Sequence, residues 1–160
     1  MSVRTLRNDF IKVLSASKGY LLVLDSMDNK IERIGGTVSW RCNNPVNLKY
    51  GKFSKNFDAI GKDHIGHAVF PTLNHGKDAQ YNLLFSQNSR YYNMSLIDAI
   101  NRYAPSYDSN NPDKYCNYLC KKANVDRDDI LGNLSEKQKE YIIEYMTIYE
   151  GYKEGKEKII

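Results

Sequence analysis

At 160 residues the chain fits one domain and is long enough to bury a core. Its 23 lysines and arginines exceed its 19 aspartates and glutamates by a net +4, and the excess is spread out rather than clustered. This argues against a nucleic-acid footprint and suits a polyanionic wall or membrane surface. No apolar run is long enough to span a bilayer, and the opening MSVRTLRNDFIKVL lacks the apolar core and cleavage site of a signal peptide. The expectation is therefore synthesis in the cytoplasm, with any work outside it requiring another machine for delivery.

In chain order, Leu6, Phe10, Val13 and Leu14 fall at helical spacing and predict a short first helix over 5–14, with Gly19 as a stop. The apolar run from Tyr20 to Leu24, the Asp28-Asn29 pair and the segment from Lys30 to Ile34 predict a hairpin. Residues 38–41 are expected to add a third short strand. From Gly51 to Pro71 the signals are mixed, giving loop with one helical turn and a short strand ending at Pro71. Thr72 or Asn74 is placed to cap a helix through Phe85, Ser95 with Asp98 to start another, and Asn111-Pro112 a third. Ser135 with Gln138 caps a last long helix over 135–150, and the lysine-rich tail is expected to fray. The sum is an α+β fold: one domain over 1–160, mainly helical, with a small N-terminal antiparallel hairpin or three-stranded sheet.

The most informative stretch is GGTVSWRCNNPVNLKY, residues 35–50. Gly35 and Gly36 reach φ values closed to other residues, and Asn43 and Asn44 tolerate left-handed geometry before Pro45 fixes φ, so the chain must reverse here. Asn43, Asn44 and Asn47 beside Trp40, Arg41 and Tyr50 bring amide donors and acceptors next to flat apolar faces, a mixture that suits a sugar. A rigid turn whose amides satisfy their own backbone accounts for the same residues equally well.

Glycosidic cleavage needs a carboxylic acid to deliver a proton, usually opposite a second carboxylate. Glu32, on the hairpin just ahead of this turn, is the candidate acid, with Asp25, Asp58, Asp63 and Asp108 as possible second carboxylates. A surface ion pair is the plainer role for Glu32. Cys42, inside the turn and beside Arg41, is the alternative nucleophile, of a Cys-dependent amidase or peptidase, with His64, His67 and His75 downstream as possible bases. Its structural default is a small buried thiol. Cys116 and Cys120, four apart on a helix, are poorly placed for a disulfide, and no metal-ligand spacing joins the cysteines to the histidines. No phosphate loop, GxSxG elbow or dinucleotide fingerprint is present, so neither metal nor cofactor is expected.

Three ordered blocks carry a resemblance: GGTVSWRCNNPVNLKYGKF, DAIGKDHIGHAVFPT and SLIDAINRYAPSYDSNNPDKY. Together they are similar to a family found in phage virion proteins and in bacterial contact-dependent or type VI secretion effectors. The motif core covers 31–118, and 134–155 resembles the family's closing helix. The matching positions are Gly35, Gly36, Trp40, Arg41, Asn43, Asn44, Pro45, Asn47, Tyr50, Phe70, Pro71, Arg102, Tyr103, Ala104, Pro105, Asn110 and Tyr115. The chain departs from the pattern at Cys42, Val46, His67 and Asp108. The resemblance implies a lysozyme-like body that degrades peptidoglycan as an antibacterial toxin in the target-cell periplasm. Its implied partners are a cognate immunity protein and a secretion apparatus or phage tail. A non-catalytic virion or secretion-apparatus module that binds the wall is a further reading of the same resemblance.

Overall fold

The computed structural model describes residues 8–104 and 111–160. Described residues form an α+β arrangement of six α-helices, a four-stranded antiparallel sheet and a two-stranded hairpin. They divide into two compact units, one of 8–79 with 150–160 and one of 80–104 with 111–149.

In the first unit, β1 (Phe10–Ser17), β2 (Tyr20–Asp25), β3 (Lys30–Ile34) and β6 (Lys156–Ile159) make the sheet in that order. The hairpin forms as its residues predict. β2 pairs with β3 from Tyr20 opposite Ile34 to Leu24 opposite Lys30, and the turn places Asp28 at φ 65°. Asp25 holds the turn by accepting the backbone N–H groups of Met27 (2.9 Å) and Asn29 (2.8 Å).

Three expectations are corrected here. Where a first helix was expected over 5–14, the described part is strand β1, which pairs with β2. Register shifts between Phe10 and Lys12 and between Val13 and Ser15 explain the misleading periodicity. Each bulge inserts one residue, so Phe10, Val13 and Ala16 reach the same apolar cluster at three-residue spacing, as a helix face would. Residues Val38–Arg41, expected as a strand, form the short helix α1, because Thr37 Oγ1 accepts the Trp40 N–H and caps it. The lysine-rich tail, expected to fray, supplies β6, which pairs with β3 from Ile31 opposite Ile159 to Ile34 opposite Lys156.

Of the paired glycines, Gly36 is the one that meets this returning tail. Gly36 sits at φ +63°, and a Cβ there would lie 2.6 Å from both Lys153 O and Gly155 N. A Cβ on Gly155 would lie 2.3 Å from Ile34 O. Two backbones cross with no room for side chains, so both positions require glycine.

After the Asn-Pro turn come α2 (Lys52–Asn56), then β4 (Gly61–Lys62) and β5 (Ala68–Val69), which pair as a small hairpin. Helix α3 (Leu73–Phe85) follows, with the Thr72 hydroxyl accepting the His75 N–H. Its Gly76 lies against the turn so closely that a Cβ would meet Asn43 O at 2.1 Å.

The second unit holds the rest of α3, α4 (Leu96–Tyr103), α5 (Pro112–Ala123), a 3-10 turn (Leu131–Asn133) and α6 (Glu136–Tyr149). The expected caps are present. Ser95 Oγ accepts the Asp98 N–H, Asn111 Oδ1 the Lys114 N–H, and Ser135 with Gln138 closes a reciprocal capping box. Leu96, Ile100, Leu119, Leu131, Ile142 and Met146 are its largest fully buried side chains. Pro105, Asp108 and Asn110, named above, lie outside the described residues.

Candidate functional site

Strand β3 divides the candidate residues. Successive side chains on a strand point to opposite faces. Ile31 and Arg33 therefore face the core, and Glu32 faces away with its cross-strand neighbours Leu22 and Lys158.

On the core face Arg33 is 3% exposed. Its guanidinium lies 4.8 Å from the ring centroids of both Phe10 and Trp40. One terminal nitrogen donates to Trp40 O and to Asn43 Oδ1 (2.9 Å), and Nε donates to Glu157 Oε1 at 2.8 Å. One buried cation thus ties together the hairpin, the Asn-Pro turn and β6. Arg33 was absent from the sequence candidates, although its two-residue spacing from Ile31 on a strand already placed it on the apolar face.

The turn's amides are turned inward. Asn43, at φ 53°, accepts from Arg33 and donates through Nδ2 to Phe70 O at 3.0 Å. Asn44 is 0% exposed; its Nδ2 donates to Leu48 O (2.8 Å) and Ala68 O (2.9 Å), and its Oδ1 accepts the Leu48 N–H (2.9 Å). Arg41 donates to Gly35 O at 2.8 Å and Gly36 O at 3.0 Å, and Trp40 is buried under Arg33. In this conformation Trp40, Arg41, Asn43 and Asn44 are committed to the backbone and the core, so none presents a face or an amide to a sugar. The rigid-turn reading accounts for their contacts. Asn47 sits at φ 58° with a buried Oδ1 that has no hydrogen-bond partner among the described residues. Tyr50 is half-buried, with the Lys55 ammonium 5.0 Å from its ring centroid.

Cys42 lies in the apolar cluster of Phe10, Leu21, Val23, Ile31 and Val69 and is 1% exposed. Burial pushes its thiol up to about 12, the nearby Asp63 charge adds to this, and Arg41 and Arg33 only partly oppose it. A thiol so placed carries almost no thiolate at neutral pH, which is the opposite of what a nucleophile needs. Of the histidines, His64 is exposed at the tip between β4 and β5. His67 Nδ1 lies 3.0 Å from Asp63 Oδ2, and His75 Nδ1 lies 2.7 Å from Thr72 Oγ1.

Glu32 is on the other face. Its Oε2 accepts the Tyr20 hydroxyl at 2.6 Å, and its Oε1 lies 3.7 Å from Lys158 Nζ. Its side chain keeps 16% exposure. The expected arrangement, with Glu32 reaching a substrate held by the Asn turn, is not made, because the sheet separates the two. Of the expected second carboxylates, the three among the described residues, Asp25, Asp63 and Asp58, have partners of their own. Asp25 serves the hairpin turn: burial alone would raise its carboxyl, but hydrogen bonds from Asn29, Met27 and Asn8 hold it below the usual range. Asp63 is likewise lowered, with burial outweighed by bonds and charge from His67 and by the Ile65 N–H. Asp58, at φ 71°, is exposed, 3.8 Å from His75 Nε2.

Among the described residues no helix is long and apolar enough to cross a membrane. Compared with known protein families and with curated proteins, the chain matches no family model and no curated protein.

Proposed function

We propose that this chain is a peptidoglycan-directed domain of the phage-virion and secreted-effector type, hydrolysing the glycan strand as an antibacterial toxin. The observation that supports the family reading is how two blocks of the resemblance meet. Asn43 Nδ2 bonds to Phe70 O, Asn44 Nδ2 to Ala68 O, and Phe70 N to Cys42 O (2.9 Å), so residues of the first block hold residues of the second. The shared residues then read as a fold-defining corner, and the reacting group belongs elsewhere.

Glu32 is the carboxylate we assign to the reaction. It stays accessible, and the Tyr20 hydroxyl fixes its orientation. Both of its neighbours are donors, which suits a carboxylate that orients water or stabilises an oxocarbenium-like charge better than one delivering a proton. An effector of this kind acts in the target-cell periplasm, is carried there by a secretion apparatus or phage tail, and requires an immunity protein in its producer.

A second reading, a non-catalytic wall-binding module, is favoured by the surroundings of Glu32, whose polar partners among the described residues are Tyr20 and Lys158 rather than a second carboxylate. The readings separate in one assay: mass spectrometry of soluble products from purified sacculi. Disaccharide-peptides released by the native chain and lost with Glu32→Gln support the hydrolase. Undiminished release by Glu32→Gln removes Glu32 from the reaction, and sacculus binding without release supports the module.

A further inference from the structure

In the second unit, a cleft of about 450 Å³ lies where α5 ends and α6 begins, lined by Ala123, Asn124, Ser135, Lys137, Gln138 and Tyr141. That volume falls within the range of small-ligand sites. Its polar edge is set by the local fold. Asn124 ends α5 in the left-handed region (φ 56°), and Gln138 Nε2 donates to its carbonyl at 3.0 Å. The Asn124 side-chain amide makes no hydrogen bond among the described residues and remains exposed.

From Tyr141, a row of rings continues along α5 and α6. Tyr141 and Tyr145 have centroids 6.3 Å apart, Tyr145 and Tyr118 6.2 Å edge-to-face, Tyr118 and Tyr149 5.1 Å. These four tyrosines are half-buried, and their hydroxyls find no partner among the described residues. Lys137 lies 5.8 Å from the Tyr141 centroid, and Lys122 lies 5.9 and 5.8 Å from those of Tyr118 and Tyr145. Glu140 and Glu144, exposed on α6, keep the strip from being a cationic track, so a polynucleotide is not the ligand its charge selects.

We infer that the Asn124–Tyr141 cleft and its tyrosine row bind a segment of N-acetylated glycan. The Tyr141 ring takes a pyranose face, Asn124 bonds an N-acetyl or hydroxyl group, and the open tyrosine hydroxyls bond further along the strand. The choice of glycan rests on the peptidoglycan reading above.

The test is titration of the isotope-labelled full chain with chitotetraose, followed by amide NMR, with parallel arms for Tyr141→Ala, Tyr141→Phe and Asn124→Gly. The last keeps the left-handed backbone while deleting the amide. Saturating shifts at Asn124, Ser135, Lys137 and Gln138 are expected. Tyr141→Ala and Asn124→Gly should each weaken binding about tenfold, while Tyr141→Phe stays within about threefold. Absence of shifts at these amides into the millimolar range overturns the inference, as does native-like binding by both Tyr141→Ala and Asn124→Gly. Tighter displacement of the same amides by a short oligothymidylate overturns it in favour of nucleic acid. Sacculus digestion on the same preparations keeps the two proposals apart. Cleft binding without fragment release leaves this one standing and removes the hydrolase, and release without cleft shifts does the reverse.

Discussion

Glu32 and Arg33 are neighbours on one strand and live in different solvents. Arg33 is sealed under Phe10 and Trp40 with its hydrogen bonds directed to Trp40 O, Asn43 and Glu157. Glu32, one residue earlier, meets a tyrosine hydroxyl and a lysine near water. The difference shows which face of the sheet is sealed into the core and which stays near water. A buried ion loses hydration and must be fully partnered, so its surroundings are rigid and intolerant of change. An accessible ion pair contributes little to stability and can be spent on function.

Breaking the core face should produce the largest effects. Arg33→Ala strands the Asn43 and Trp40 acceptors and should lower stability by about 3 kcal/mol or more, read from urea unfolding. Asn44→Ala leaves the Leu48 N–H and the Leu48 and Ala68 carbonyls short of partners, for an expected loss of about 2–3 kcal/mol in the same assay. Gly155→Ala forces a Cβ onto the Ile34 carbonyl and should cost about 1–3 kcal/mol through local strain. Amide exchange should then be fastest in β6, and unchanged β6 protection would contradict the crossing described here.

Acid should erode the same unit in a defined direction. Asp25 and Asp63 both have carboxyls lowered in the folded state. A depressed folded value means that the stability they supply is complete above the ordinary carboxylate range and is lost as pH falls through their folded values. Thermal melts from neutral to acid pH should therefore fall on the acid side, and Asp63→Asn should flatten that fall.

The outer face should show the smallest stability change. Glu32→Gln should shift stability by no more than about 1 kcal/mol, while abolishing fragment release if Glu32 reacts. Alkylation adds a kinetic version of the comparison. Native Cys42, with its thiol near 12 and buried, should resist iodoacetamide at neutral pH, whereas partly exposed Cys120 should react first. Rapid labelling of Cys42 in folded protein would reopen the thiol chemistry.

Local chemistry was legible wherever it acts over a few residues. The Asp28-Asn29 turn, the caps at Thr72, Ser95, Asn111 and Ser135, and the left-handed Asn43 all form as their residue types require. Features with distant partners were not legible. Two bulges gave β1 the spacing of a helix, and β6 looks like a frayed tail until Ile31 to Ile34 of β3 lie beside it. The Asn cluster read as well for a sugar as for a turn, because an amide's partners, here Phe70 O, Ala68 O and Leu48, are not written next to it.

By itself, then, the sequence determined the α+β class, the hairpin, the helix starts and the reversal at the Asn-Pro turn, because propensity, caps and turns depend on near neighbours. Only the tertiary structure decided that Arg33 is a core residue, that Gly36 and Gly155 cross, that Cys42 is withdrawn from chemistry and that Glu32 faces away from the motif. Those outcomes depend on which strand lies alongside which, and so on what each side chain loses when water leaves.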